Sequence, residues 1–366
     1  MRPNDTNGPA HSTPLAPAGR ALPPLQWGMT SLRAGAVGLR WLWHGYLAPG
    51  VVTLLSSQWK TGKTTLTAVL LSRLKAGGDF AGLPLAAGRA VVLSEEPAGQ
   101  WVRRGGKLDL EEHVGWYCRP FRGRPRPGQW EALLERVGEE AAERGVSLAV
   151  VDPLAAFFPG KSENDACAML DALAPLQRLA ARGLAVLTLH HPEKKEPGDG
   201  PSGRGSGALL GCADVLVERR WYRRAGEADR RRRLVALSRF DETPRQLVVE
   251  LNAEGTDYLS HGDFAAAEFA SRWGELRELL RPAERKLTRR EIYRAWPAEG
   301  RPDPGSLYRW LRRAVAEGLL RQDGDGRGGR PFRYWLAENE ERWRQDIWSL
   351  IHMPELRQPP PESAPG

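Results

Sequence analysis

The sequence is poor in cysteine and has no long apolar run, and each shortage excludes a class of protein. Its 366 residues contain three cysteines, Cys118, Cys167 and Cys212. The number is odd and the spacing fits no metal site, so we expect neither a disulfide framework nor a zinc centre. No apolar run approaches the ~20 residues of a membrane helix. The first twenty residues lack the apolar stretch of a signal peptide, so we expect a cytoplasmic protein without a membrane partner.

Lysine is scarce beside arginine, with 8 lysines among 53 basic residues. We interpret the arginine surplus as codon bias of a GC-rich genome, which makes each remaining lysine more informative. Positive charge is also uneven, because residues 271–337 hold 16 basic and 9 acidic residues while the rest of the chain is nearly neutral. A basic segment beside a neutral body indicates a nucleic-acid contact.

Short apolar runs alternate with helical patterns through most of the chain. The runs are 51–55, 90–94, 147–152, 184–191, 213–218, 233–238 and 246–251, and helical spacing is found at 63–75, 129–144 and 164–182. Continuous apolar runs are typical of strands buried on both faces. The alternation therefore predicts an α/β fold, a mainly parallel sheet flanked by helices. The last two runs have no helix between them and are predicted to pair as an antiparallel edge.

Composition divides the chain into four predicted segments. Residues 1–24 are rich in Pro and Gly and are expected to form a disordered tail. Residues 25–270 form the α/β domain and 271–337 a small domain of helices and glycine-rich strands. Residues 338–366 are expected to form a C-terminal helix with a disordered tail.

The segment SQWKTGKT, residues 57–64, has the strongest chemical pattern in the chain. It follows an apolar strand and opens a helix, as a phosphate-binding loop does, although Ser57 replaces the first glycine of that pattern. Lys63 is expected to reach the β- and γ-phosphates of ATP, and Thr64 to hold Mg²⁺. Trp59 either stacks on the base or fills the loop. The predicted nucleotide-binding residues are Ser57, Gln58, Trp59, Lys60, Thr61, Gly62, Lys63, Thr64 and Thr65.

Acidic residues end two of the predicted strands. Asp152 follows four apolar residues, where a carboxylate can hold Mg²⁺ together with Thr64; capping the turn before Pro153 is the alternative. Glu95 and Glu96 follow the run AVVLS, where one of them could polarise the attacking water as a general base. Adjacent side chains on a strand point to opposite faces, so only one glutamate is expected to face the site.

The order of these motifs resembles the RecA-type ATPases, and among them the AAA subgroup of RepA-like hexameric replicative helicases. The resemblance covers roughly residues 25–260 and implies a RecA-like P-loop fold, ATP hydrolysis with Mg²⁺ and a ring of identical subunits. The segment SEEP matches the family's catalytic strand end, which implies Glu95 as the base and Glu96 as its neighbour. AVVDPLAAF matches the family's acidic strand at Asp152. SRFDETP matches a segment that reaches the next subunit's nucleotide, which implies this role for Arg239.

The family's paired histidines match His190 and His191. One is expected to be a buried core residue and the other to sense the γ-phosphate, with His191 as the candidate catalytic residue. The segment 192–207 that follows is either a plain surface loop or, as in RecA-type rings, a contact for single-stranded DNA. The predicted DNA contacts of this loop are Lys194, Lys195 and Arg204.

Two further arginine features have competing interpretations. The stretch 219–233 is interpreted as the solvated crest of a hairpin, with a nucleic-acid or subunit contact as the alternative. For Arg239, the alternative to a role in the neighbouring subunit is an ion pair with Asp241 or Glu242.

Residues 271–337 resemble a winged-helix domain. Thr288 and Glu291 form a capping box before the second predicted helix, and the third helix has Pro304 near its start and Gly318 at its end. Helix-turn-helix proteins lay one helix in the major groove, so we expect duplex DNA as the partner; a protein contact is the alternative. The predicted DNA contacts are Ser306, Tyr308, Arg309, Arg312 and Arg313 on the helix, and Arg327, Arg330 and Arg333 on the wing.

These features together predict an ATP-hydrolysing DNA motor, a helicase or translocase in the replication of a plasmid, phage or integrated element. One alternative is a DNA-binding regulator whose ATP site is a slow assembly switch. A phosphoryl-transfer kinase is a further alternative, but it needs an acceptor pocket and lid arginines that we cannot locate in the sequence. ATP is preferred to GTP because the guanine-reading N-K-x-D pattern is missing.

Overall fold

The computed structural model describes residues 25–35, 38–57, 61–159, 166–190, 211–222, 229–326 and 329–341. The chain divides into two compact units, one up to Arg40 and one from Trp41. In the first unit the described helix is α1 (Gly28–Gly35), where the Ser31 hydroxyl donates to the carbonyls of Trp27 and Gly28 at 2.6 and 3.0 Å. The predicted N-terminal tail and the end of the chain from residue 342 lie outside the described residues.

The described part of the second unit is built on a nine-stranded sheet with the order β11-β10-β9-β8-β1-β7-β6-β4-β5. Strands β1 and β4 to β8 pair in parallel, whereas β8 to β11 pair antiparallel. The strands are β1 (Val52–Ser57), β2 (Gly78–Phe80), β3 (Leu83–Leu85), β4 (Ala90–Ser94), β5 (Val114–Cys118), β6 (Leu148–Asp152), β7 (Ala185–His190), β8 (Val215–Trp221), β9 (Arg231–Ser238), β10 (Gln246–Leu251) and β11 (Tyr258–Asp263), with β2 and β3 forming a separate hairpin.

The predicted apolar runs all form strands, and the mainly parallel sheet is confirmed. Two strands of the main sheet, β5 and β11, were not predicted, and neither was the separate hairpin of β2 and β3. The antiparallel pairing of β9 with β10 is confirmed, but β11 rather than β10 ends the sheet. Strands β5 and β11 are the edge strands of the main sheet, and most of their side chains are exposed or half-buried. They therefore lack the continuous apolar signature that identifies the inner strands.

Helices cover both faces of the sheet. They are α2 (Lys63–Leu74), α3 (Ala98–Gly105), α4 (Pro127–Arg144), α5 (Leu154–Phe157) and α6 (Ala166–Ala181). On one face, α2 packs with the segment 41–48, and on the other, α4, α5 and α6 pack together. Alternation along β4 divides its side chains between these two cores, since Val92 lies in the first and Val91 in the second.

The C-terminal part has its own hydrophobic core. Its elements are α7 (Phe264–Leu280), β12 (Leu287–Thr288), α8 (Arg289–Ala295), α9 (Pro304–Ala316), β13 (Leu320–Asp323), β14 (Arg333–Leu336) and a short 3₁₀ turn (Ala337–Asn339). The three strands form an antiparallel sheet in the order β12-β14-β13. The capping box is confirmed, because the Thr288 hydroxyl accepts from the Glu291 amide at 3.3 Å and the Glu291 carboxylate accepts from the Thr288 amide at 2.8 Å. The predicted boundary at residue 271 falls inside α7.

Candidate nucleotide-binding site

The carboxyl ends of the inner parallel strands meet at one edge of the main sheet. Ser94 at the end of β4 pairs with Asp152 at the end of β6, and Ser56 near the end of β1 pairs with His190 at the end of β7. Ligands of open α/β sheets bind at this edge. The fold therefore brings the predicted phosphate loop and the predicted acidic residues together.

Gly62 and Lys63 begin α2 directly at this edge. Gly62 has a left-handed backbone, with φ 90° and ψ 40°, which glycine adopts at little cost. Lys63 is 5% exposed, and its Nζ donates to the Ser57 carbonyl at 3.3 Å. The first amides of a helix have no partner within that helix and attract anions. This turn is therefore shaped to receive a phosphate group.

Ser57 is the last residue of β1, where the sequence pattern has its first glycine. It lies in extended backbone, in register with Arg219 of β8, and its φ is not positive. A serine is therefore accommodated here without strain. The other predicted loop residues, Gln58, Trp59 and Lys60, lie outside the described residues, while Thr61 is buried and Thr65 is exposed.

Asp152 and Lys63 form the charged centre of the site. Burial raises the pKa of Asp152 to about 6, although the hydrogen bond from the Thr64 hydroxyl and the charge of Lys63 act in the opposite direction. Burial lowers the pKa of Lys63 to about 8, against the attraction of Asp152. At neutral pH the site thus holds a carboxylate and an ammonium group, each mostly ionised.

The oxygen atoms of Thr64 and Asp152 fit a magnesium ion. Asp152 Oδ2 is buried and has no hydrogen-bond partner among the described residues. Within that part of the chain, no cluster of three His, Cys, Asp or Glu residues could hold a metal alone. Mg²⁺ is usually held by one or two protein oxygens together with phosphate and water, so the donor set suits an ion that arrives with a nucleotide.

Glu95 and Glu96 follow β4 at the same edge but differ in their surroundings. Glu96 forms an ion pair with Arg104 of α3 through both carboxylate oxygens, and its amide donates to the Ser94 hydroxyl at 3.1 Å. The Glu95 carboxylate has no hydrogen bond with any described residue. Burial and the charge of Glu96 raise the pKa of Glu95, against the attraction of Arg119.

Arg119 and Arg104 support this turn and were not identified from the sequence. Arg119 has a positive φ of 51°, and its backbone N–H donates to the Ser94 carbonyl at 2.8 Å. Its Nε donates to the Glu95 carbonyl at 2.9 Å. Arg119 directly follows β5, so recognising that strand was the signal that could have located it.

Arg219 corrects the interpretation of 219–233 as a solvated crest. Arg219 lies within β8 and is 3% exposed. Its Nε donates to the carbonyl of Thr61 in the phosphate loop at 2.8 Å, and its Nη2 donates to the Tyr258 hydroxyl at 3.0 Å. The pairing of Ser57 with Arg219 explains the position, because it places this side chain beside the loop.

The described residues at both ends of that stretch also belong to strands β8 and β9. Arg231 and Arg232 belong to β9, and their guanidinium groups stack on Tyr222 and Trp221 at 4.1 and 3.9 Å. Residues 223–228, between these two strands, lie outside the described residues.

His190 is buried at the end of β7, in agreement with the expectation that one histidine of the pair lies in the core. His191, Lys194, Lys195 and Arg204 lie outside the described residues. The predicted roles of these four residues therefore stay predictions.

Arg239 and the phosphate loop lie at opposite ends of the parallel strands: Arg239 is level with their amino ends, and the loop is at their carboxyl ends. Val215 of β8 pairs with Thr53 of β1 and with Ser238 of β9. The residue after Ser238 is therefore level with the start of β1, two strands away, whereas the loop follows the end of β1. A six-residue strand separates these two levels by about 16 Å, and Arg239 does not contact the described part of its own phosphate loop, residues 61–65.

The Arg239 side chain is 65% exposed and binds the segment before β8. Its Nη1 pairs with Asp214 at 3.2 Å, and its Nη2 donates to the Gly211 carbonyl at 3.2 Å. The ion-pair partner is thus Asp214, rather than Asp241 or Glu242 as the sequence suggested.

The predicted DNA-contacting residues of α9 divide into two groups. Tyr308, Arg309 and Arg312 are exposed. Ser306 is buried, with its hydroxyl accepting from Arg309 at 2.7 Å, a position that does not favour the DNA contact, which stays a prediction. Arg313 is half-buried, with its guanidinium 4.8 Å from the Phe269 ring and 2.7 Å from Glu317.

The wing residues are placed only in part. Arg330 and Arg333 are exposed next to β14 and within it, and Arg327 lies outside the described residues.

Capping by Asp303 explains the burial of Ser306, because the carboxylate accepts from the amides of Gly305 and Ser306 at 2.9 Å and begins the helix there.

Comparison with known proteins adds one positive finding. The family model described as an AAA domain matches residues 20–197, which include the phosphate loop, both glutamates and Asp152. No curated protein matches the sequence. Among the described residues, no helix is long and apolar enough to cross a membrane. The match and the mainly parallel α/β core fit an ATPase of the AAA/RecA-like kind, and an AAA domain implies nucleotide binding.

Proposed function

We propose that this protein is an ATP-driven DNA motor of the RepA-like hexameric helicase kind, acting in the cytoplasm in replication of a plasmid, phage or integrated element. The observation that carries the proposal is the cluster at the sheet edge. The Thr64 hydroxyl is hydrogen-bonded to Asp152 there, the charges of Lys63 and Asp152 attract each other, and the free carboxylate of Glu95 lies at the same edge. This is the set of groups that phosphoryl transfer from ATP to water requires.

Each group has a separate role in this proposal. The amides after Gly62 and the ammonium group of Lys63 bind the phosphates and stabilise charge that develops during transfer. Thr64 and Asp152 would hold Mg²⁺, which would neutralise phosphate charge when bound. Glu95 accepts a proton from the attacking water, because its carboxylate is free and its raised pKa strengthens it as a base. Glu96 and Arg104 fix the turn that carries Glu95.

We further propose that the C-terminal part is a winged helix that binds duplex DNA. Its element order, helix, strand, two helices and a strand pair, supports this fold. The exposed Arg309 and Arg312 on α9 and Arg330 and Arg333 near β14 support a phosphate contact. Single-stranded DNA is the proposed partner of the 192–207 segment.

A ring of identical subunits completes the proposal. Arg239 is exposed and remote from its own loop, which supports a contact with the nucleotide of the next subunit. An arginine supplied in this way contributes ~10³–10⁵ to the rate in other phosphoryl-transfer enzymes.

The test is ATP turnover by the full chain with no DNA, with single-stranded DNA and with duplex DNA, alongside strand displacement and oligomer size. We expect turnover that DNA stimulates and that Lys63→Ala abolishes. ATP binding without DNA-stimulated turnover or strand displacement would instead favour a nucleotide-switched regulator. Failure of the wild type to bind ATP would refute the proposal.

A further inference from the structure

Arg219 is a buried cation for which the described structure provides no anion. Its side chain donates to two neutral oxygens, the Thr61 carbonyl and the Tyr258 hydroxyl. Its Nη1 is buried without a hydrogen-bond partner, and no described carboxylate pairs with it. A buried charge is costly unless a partner compensates it. The arrangement is therefore unfavourable for the fold alone, and a ligand at the adjacent loop can compensate it.

The guanidinium is also fixed against the turn that opens α2. A Cβ atom placed on Gly62 would lie 3.5 Å from Arg219 Nη2. The Tyr258 ring lies 5.2 Å from the guanidinium carbon, so the hydroxyl and the ring face of one tyrosine both contact Arg219. Arg219, which belongs to β8, thus links the loop to β11, which lies three strands away from β8 in the sheet.

We propose that Arg219 is a positioning residue of the phosphate loop. Its hydrogen bond to Thr61 holds the Gly62 turn in its anion-binding shape, and its charge adds to that of Lys63. The ligand is the phosphate chain of a nucleotide, so the inference rests on the proposed ATP site for its ligand, but not for its effect on the loop.

Four variants of the full-length chain test the proposal. Arg219→Gln removes the charge, Arg219→Lys keeps the charge without the planar fork, and Tyr258→Phe removes one tie. Arg231→Gln is the matched control, because Arg231 also stacks on a tyrosine, Tyr222, but pairs with Asp229 instead of contacting the loop. The measurements are hydrogen–deuterium exchange of the loop peptide without ligand, Mg·ATP affinity, and the separate values of KM and kcat.

We expect Arg219→Gln to speed exchange of the amides that follow Thr61 and to weaken ATP binding about 10- to 100-fold, as loss of a charge-assisted hydrogen bond does. The effect should fall mainly on KM, because Arg219 acts on binding of the ground state. Arg219→Lys should restore part of the affinity and Tyr258→Phe should show a smaller loss. Arg231→Gln should match the wild type in exchange and affinity.

Unchanged loop exchange together with ATP affinity within twofold of the wild type in Arg219→Gln would overturn the inference while leaving the proposed function intact. If the wild type binds no ATP, the proposed function fails, and loop exchange in the ligand-free variants still decides the positioning role. If Arg219→Gln does not fold, Arg219→Lys and Tyr258→Phe decide: unchanged exchange and affinity in both would overturn the inference.

Discussion

The two glutamates after β4 differ in the freedom of their carboxylates. Glu96 is bound by Arg104 through both oxygens, so proton transfer through it would have to break a bidentate ion pair. Glu95 has no such partner among the described residues, and burial and the neighbouring charge raise its pKa. These differences separate a candidate base from a residue that shapes the turn.

Glu95→Gln should slow ATP hydrolysis about 10²- to 10⁴-fold with nearly unchanged ATP binding, because the amide cannot accept the proton. Glu96→Gln and Arg104→Gln should resemble each other and give smaller losses, since each breaks the same ion pair. Single-turnover hydrolysis and nucleotide binding are the measurements. A loss confined to Glu96→Gln would reverse the assignment of the two residues.

The buried carboxylate of Asp152 destabilises the ligand-free fold at neutral pH. Its pKa of about 6 is above the value of 3.8 for an unburied carboxyl, so the folded chain holds the proton more tightly than the unfolded chain does. Folding stability without nucleotide therefore falls as pH rises from about 4 to 6, and the penalty is fully present above that window.

Asp152→Asn should raise the free energy of unfolding of the ligand-free protein at pH 7 by about 1–3 kcal/mol. The gain should shrink toward pH 4, where the native carboxyl is also neutral, and Mg²⁺-dependent ATP binding should be lost. Chemical denaturation at pH 4, 5, 6 and 7 measures it. Asp109→Asn is the control with the opposite sign, because Lys75 lowers the pKa of that exposed carboxyl. A stability loss at pH 7 in Asp152→Asn would contradict the argument.

Among single elements, helix α9 carries two adjacent arginines that differ in exposure and in the residues they contact. Arg312 is exposed, whereas Arg313 contacts the ring of Phe269 in α7 and pairs with Glu317. A helix that reads DNA needs one face for the groove and another for its own core. Arg313 lies toward the core side and Arg312 toward solvent.

Arg312→Gln should weaken duplex binding and flatten the dependence of log K on log salt by about one, if this residue meets one phosphate. Arg313→Gln should lower thermal stability, since the Phe269 contact is lost, and change the salt slope less. Duplex binding between 50 and 200 mM salt measures both effects, with thermal unfolding alongside. Equal slopes for Arg312→Gln and the wild type would count against a DNA contact by α9.

The sequence predicts an element well where burial alone determines its residue pattern. Inner strands such as β6 are buried on both faces, so their apolar runs identify them without any partner. The edge strands β5 and β11 are stabilised by pairing with one neighbouring strand only. Their amino-acid compositions do not reveal this pairing. The role of Arg219 was equally hidden, since its partners Thr61 and Tyr258 are 158 and 39 residues away in sequence.

For the whole molecule, the position of Arg239 determines which subunit it can serve. Its strand register places Arg239 level with the amino end of β1, whereas its own phosphate loop follows the carboxyl end of β1. Its partner Asp214 is fixed in turn, because Asp214 Oδ2 accepts from the Val52 amide at 3.0 Å. The Arg239 guanidinium is thus held by Asp214 and Gly211, while the side chain stays largely exposed.

Arg239→Ala should bind ATP nearly normally and hydrolyse it slowly, because the lost group acts on the transition state. Mixing it with Lys63→Ala subunits should restore part of the activity, since some interfaces then combine an intact loop with an intact arginine. Turnover of the mixture against each variant alone is the measurement. A monomer at working ATP concentration, or a mixture as inactive as its parts, would exclude a role in the neighbouring site.

Helix α7 has a mechanical consequence for the whole chain. Ala267 packs against Val248 of the main sheet, while Phe269, Leu276 and Leu280 belong to the C-terminal core. Seventeen residues make a rod about 25 Å long. A tilt of ~10° at its sheet end would sweep the far end through ~4 Å, about the rise of one base pair along a duplex. In the proposed DNA motor, a single uninterrupted helix of this kind would convert small rotations at the sheet into displacements of about one base pair.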